Sequence, residues 1–139
     1  MGKPKFTNTN DDKEVKCQIA KPKINYIDEL ISNAKIKKNV KYDAIEYLFN
    51  YLISAKNVSK YNDLAFYLSN DDISLYILNE VIKKYPNRVV AYINIADSYF
   101  NLENYDEAVK NYKKYILLMK SQKKDLKKIP KYVFERIEK

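Results

Sequence analysis

Apolar residues recur along most of the chain at the spacing of a helix. Ile27, Leu30, Ile31 and Ala34 fall at i, i+3, i+4 and i+7 and predict a first helix over "INYIDELISNAKI". Asn25 is its candidate cap, and Asp28 favours its positive end. "VKYDAIEYLFNYLISAK" repeats the stripe through Ala44, Ile45, Leu48, Leu52 and Ala55. A shorter helix, "KYNDLAFYLS", follows with Ser59 as candidate cap. "NDDISLYILNEVIKKYP" then places Leu75, Leu78 and Ile82 on one face, with Asp71 or Asp72 as cap and Pro86 beyond its end. Asn87 opens "RVVAYINIADSYFNL", and Asn104 or Asp106 opens "DEAVKNYKKYILLMK". "SQKKDLKK" is a polar connection, after which Pro130 suits the first turn of "KYVFERIEK". Alternating polarity is never sustained, so the expected class is all-α.

The helices also repeat. Ala44, Ser74 and Ala108 are small residues near the start of every second helix, at spacings of 30 and 34 residues. Leu48, Leu78 and Tyr112 follow four residues later, then Tyr51, Val81 and Tyr115, then Leu52, Ile82 and Ile116. A period near 34 built from two helices points to a helical-repeat solenoid.

"AYINIADSYFNLENYDEAVKNYKKYI", Ala91 to Ile116, resembles the tetratricopeptide repeat (TPR). Tyr92, Ile95, Ala96 and Tyr99 match its first-helix aromatic, leucine, small residue and tyrosine; Tyr105 to Ala108 match its second-helix start, and Tyr112 its next large position. Small Ala96 and Ala108 would let the two helices approach closely, with "NLEN" as the turn between them. The chain departs from the pattern at Lys120, where proline is usual, at Tyr115, where a small residue is common, and in the shortened turn of the middle repeat. The resemblance implies a right-handed superhelical stack of antiparallel helix pairs. Its repeats would span about 24–56, 57–86 and 87–120. A capping helix, 129–139, would cover the last repeat through Val133, Phe134 and Ile137. The run from "YNDLAFYL" to "IPKYVFERI" also resembles the C-terminal TPR module of small bacterial proteins, some of the toxin-immunity kind.

Composition narrows the function. With 139 residues, 46% of them hydrophobic, the chain fits one domain. One glycine argues against phosphate-cradling turns, and no histidine with a single cysteine, Cys17, excludes an internal disulfide and a His- or Cys-rich zinc site. No cofactor or metal is expected. The formal charge of +8 divides into +3 over residues 1–23, zero over 24–119 and +5 over 120–139. That distribution reads as solvated lysine-rich ends, with 1–23 a flexible basic tail, and disfavours a nucleic-acid-binding body. No signal-like core and no apolar run of membrane-spanning length is present, so the expected location is cytoplasmic, or periplasmic if a leader was trimmed.

Catalysis lacks a candidate, because Asp71-Asp72 and Asp106-Glu107 sit at helix starts, where capping explains them. Lysine-rich ends could bind RNA without sequence preference. The last helix is amphipathic but short for a membrane surface. Protein binding remains the leading function. The resemblance implies a concave face on the first helices, at Ile93, Asn94, Asp97, Phe100 and Asn101 in the last repeat. In the middle repeat the matching positions are Asn62, Asp63, Phe66 and Asn70, and in the first Asp28, Glu29, Ser32 and Lys35. Phe66 and Phe100 would anchor a protein or peptide partner, a toxin domain in the immunity case, with Asp63 and Asp97 selecting its basic residues. The family's clamp for carboxylate-ended peptides does not fit Ile93 and Asp97.

Overall fold

The computed structural model describes residues 21–68 and 70–138. Among them are seven α-helices and no strand. The first four are α1 (Tyr26–Lys35), α2 (Lys41–Asn50), α3 (Val58–Tyr67) and α4 (Asp71–Lys84). The others are α5 (Val89–Asn101), α6 (Tyr105–Ser121) and α7 (Lys131–Ile137), the last preceded by a 3-10 turn at Leu126–Lys128. The fold is all-α and TPR-like. Within the pairs, α5 packs along α6 most extensively, and α3 along α4. Between pairs, α1 lies against α3, α3 against α5, and α4 against α5. First helices therefore stand side by side.

The repeated small residues explain the close approach. Ala44, Ser74 and Ala108 are all buried, as are Ala65 and Ala96 opposite the last two. Ser74 costs nothing in this apolar setting because its Oγ donates to the Ala65 carbonyl at 2.7 Å. Around these contacts Tyr47, Tyr61 and Tyr112 are fully enclosed. Two apolar clusters result, one spanning α1 to α5 and one spanning α5 to α7, with Ile82 and Tyr99 packed against both.

Several local expectations are corrected. The second helix ends at Asn50 rather than running through Ala55, and Leu52 and Ala55 are exposed. Side chains compete for this backbone: Asn57 accepts from the Ser54 N–H at 2.8 Å and donates to the Leu52 carbonyl at 3.0 Å. Ser59 lies inside the first turn of α3, not at its cap. Asn70, not Asp71 or Asp72, caps α4, its Oδ1 accepting from the Ile73 N–H at 2.8 Å. Asn104 caps α6, accepting from Glu107 at 3.4 Å. Asn25 precedes α1 without a side-chain capping bond, and Pro130 is the cap of α7 rather than part of its first turn.

The lysine-rich C-terminal end is a folded part of the stack, not a tail, since Ile129 and Val133 are buried there. Phe134, expected to cover the last repeat, is 46% exposed, and Tyr132 packs inward beside Val133 instead. The N-terminal tail and Cys17 lie outside the described residues except for 21–23. Those three join the fold: the Tyr51 hydroxyl donates to the Pro22 carbonyl at 2.6 Å, and the Lys21 ammonium sits 4.5 Å from the Tyr51 ring centre.

Turns form without glycine. Lys37, Glu103 and Lys123 take left-handed φ values of 68°, 62° and 57° just past the ends of α1, α5 and α6. In each case the following N–H reaches back to a helix carbonyl: Lys38 to Asn33 at 3.0 Å, Asn104 to Tyr99 at 2.9 Å and Lys124 to Met119 at 2.9 Å. This is the Schellman closure, usually built on glycine. Tyrosine hydroxyls secure the other irregular segments. Tyr47 donates to the Ile24 carbonyl, Tyr61 to that of Tyr51, and Tyr92 to that of Pro86.

Candidate partner-binding face

The side-by-side first helices α1, α3 and α5 bring the candidate residues onto neighbouring elements. On α1, Asp28, Glu29, Ser32 and Lys35 are all exposed. Asp28 is tied across to α3 by Lys60 at 2.9 Å, and the Lys35 ammonium lies 5.0 Å from the Tyr67 ring centre. On α3, Asp63 is exposed and Phe66 is 58% exposed, its ring edge-on to Tyr67 at 4.9 Å. Asn70 is spent as the cap of α4. On α5, Ile93 and Asn94 are half-buried, and Asn101 is exposed, with its Nδ2 3.4 Å from Asp71 Oδ1.

Three of the expected contact residues are placed differently. Asn62 is turned inward at 5% exposure, and its Oδ1 has no hydrogen-bond donor among the described residues. Asp97 and Phe100 are half-buried because α7 lies over them. Asp97 Oδ1 receives the Tyr112 hydroxyl at 2.5 Å, and Oδ2 receives the Tyr132 hydroxyl at 2.9 Å. The Arg136 guanidinium pairs with Asp97 Oδ1 at 3.3 Å and donates to the Tyr112 hydroxyl at 2.7 Å. It also lies 3.9 Å from the Phe100 ring centre and 4.5 Å from that of Tyr132. The basic group paired with Asp97 is thus the chain's own.

Burial governs the protonation of this cluster. It raises the Asp97 carboxyl above its ordinary 3.8, against the opposing hydrogen bonds of Tyr112 and Tyr132 and the charge of Arg136. It also pushes the Tyr112 and Tyr132 hydroxyls upward, with Asp97 adding to the shift. Tyrosines shifted in this direction stay protonated and are weaker acids than free tyrosine. Among the described residues no three His, Cys, Asp or Glu side chains gather into a metal-binding set.

Tyr132 and Arg136 escaped the sequence reading, although a signal existed. Ile129, Tyr132, Val133 and Arg136 fall at i, i+3, i+4 and i+7, a complete helix stripe once the arginine is counted as an amphipathic residue that buries its stem. No helix among the described residues is long and apolar enough to cross a membrane.

Residues 90–118, nearly all of α5 with its turn and most of α6, match the family model described as tetratricopeptide repeat. Neither the curated proteins nor the solved structures yield a match.

Proposed function

We propose that this chain, which carries a tetratricopeptide repeat at residues 90–118, is a non-catalytic interaction module that binds a protein or peptide partner on the face of its first helices. The observation that carries this reading is Phe66, 58% exposed on α3 beside exposed Asp63. A large aromatic side chain left in water beside an exposed carboxylate is the composition of a binding anchor. Glu29 on α1 and Ile93 and Asn94 on α5 border it, while Asp28 is paired with Lys60. The last-repeat positions Asp97 and Phe100 are occupied internally, so the open face runs over α1 and α3.

Affinity capture from the source cells with the immobilised full chain tests this. Asp63→Lys with Phe66→Ala should reduce capture of the partner at least about tenfold while leaving the helical spectrum unchanged, because both side chains are exposed. Undiminished capture by the double variant would remove α3 from the interface. One stoichiometric partner would indicate a dedicated inhibitor of the immunity kind, and several weaker ones an adaptor.

A further inference from the structure

In the α5–α7 contact an aspartate and a phenylalanine of one helix engage a guanidinium from another. Asp97 and Phe100 are three residues apart on α5, one turn along the same face. Together with the Tyr112 hydroxyl and the Tyr132 ring they hold one guanidinium: the Asp97 carboxylate pairs with Arg136 at 3.3 Å, the Phe100 ring lies 3.9 Å beneath its central carbon, and the Tyr112 hydroxyl accepts from it at 2.7 Å. A planar cation suits this arrangement, since it stacks flat on an aromatic ring while its in-plane N–H groups reach a carboxylate at the edge.

The same pair recurs on the adjacent first helix. Asp63 and Phe66 have the identical spacing, "DLAF" against "DSYF" in α5. Measured from the matching small residues Ala65 and Ala96, the α3 pair lies three positions earlier, one turn nearer its helix start. Both members are exposed, whereas the α5 pair is covered. Lys60, one turn before Asp63, is directed to Asp28 on α1. Among the described residues Asp63 has no ion-pair partner and Phe66 has no cation over its ring.

We propose that Asp63 and Phe66 form a guanidinium-binding site, filled in trans by an arginine of the partner in the way Arg136 fills its counterpart in cis. This rests on the reading of the α1–α3 face as the binding face and names what that face selects. The occupant is an arginine-bearing protein segment, presented as a helix like α7. Lysine satisfies Asp63 but stacks less well on Phe66, so the site discriminates between the two cations. Charge favours the encounter: residues 57–107 hold four basic and eight acidic side chains.

The test is a titration of the isotope-labelled full chain with a synthetic helical peptide carrying one arginine, followed by amide chemical shifts. Lysine and citrulline versions serve as comparisons. The expected result is a set of shifts centred on Asp63 and Phe66, about fivefold weaker binding for lysine, and none for neutral citrulline. Asp63→Asn and Phe66→Leu should each abolish the α3 shifts and leave those of α5 and α7 unchanged. Equal binding of the lysine peptide would overturn the guanidinium assignment while leaving the face a binding surface. Absence of α3 shifts with any peptide, in a chain whose captured partner still depends on Asp63 and Phe66, would overturn the assignment too. Loss of that dependence would instead remove the reading of the face beneath it.

Discussion

Glu103 carries the turn between α5 and α6 at φ 62°, a conformation that costs most residues about 1–2 kcal/mol. Its charge lies between the negative end of α5 and the positive end of α6, whose dipoles oppose one another there. Glu103→Gly removes the backbone penalty and adds back chain entropy in the unfolded state. The net expectation is a gain of up to about 1 kcal/mol, read as a higher urea midpoint at unchanged slope. A loss of stability would mean that Glu103 makes a favourable contact that outweighs its backbone strain. The "NLEN" turn was legible as a turn, because a small-residue helix start follows it. Its left-handed residue was not, because no glycine marks it. The hydroxyl bonds of Tyr47, Tyr61 and Tyr92 to the carbonyls of Ile24, Tyr51 and Pro86 join segments whose approach no local pattern encodes.

Among the helices, α5 and α6 are the most legible, since Tyr92, Ile95, Ala96, Tyr99, Ala108 and Tyr112 fill packing positions of the pair with residues of suitable size. The second helix stops short of the sequence expectation: Leu52 and Ala55 continue its apolar stripe, but the side chains of Asn57, Ser54 and Tyr61 take up the backbone groups beyond Asn50. The last helix was recognised as the cover of the stack, yet with Phe134 inward where Tyr132 and Arg136 lie. That contact has a pH signature. Asp97 has its folded-state pKa raised above the ordinary 3.8, so the protonated form is the better tolerated one. Its contribution to stability is greatest below the unfolded-state pKa and falls as pH rises through the window above 3.8. The stability of the wild type minus that of Asp97→Asn should therefore decrease as pH rises above 3.8. An increase over that range would show that the Arg136 pairing and the two tyrosine hydroxyls outweigh burial.

At the scale of the whole molecule, charge is segregated along the stack. Residues 108–134 hold nine lysines against one acid, Asp125, so this folded end alone carries an excess equal to the chain's net +8. The middle, 57–107, is acidic. A basic partner is thereby repelled from the α6–α7 end and drawn toward the first helices, a preference that salt should weaken. Hydrogen exchange of the full chain, alone and with its captured partner, tests the account most directly. The prediction is slowed exchange in Tyr26–Lys35 and Val58–Tyr67, helices α1 and α3, with little change in Lys41–Asn50 and Asp71–Lys84. Slowed exchange confined to Tyr105–Ser121 and Lys131–Ile137 would place the partner on the basic end and contradict it.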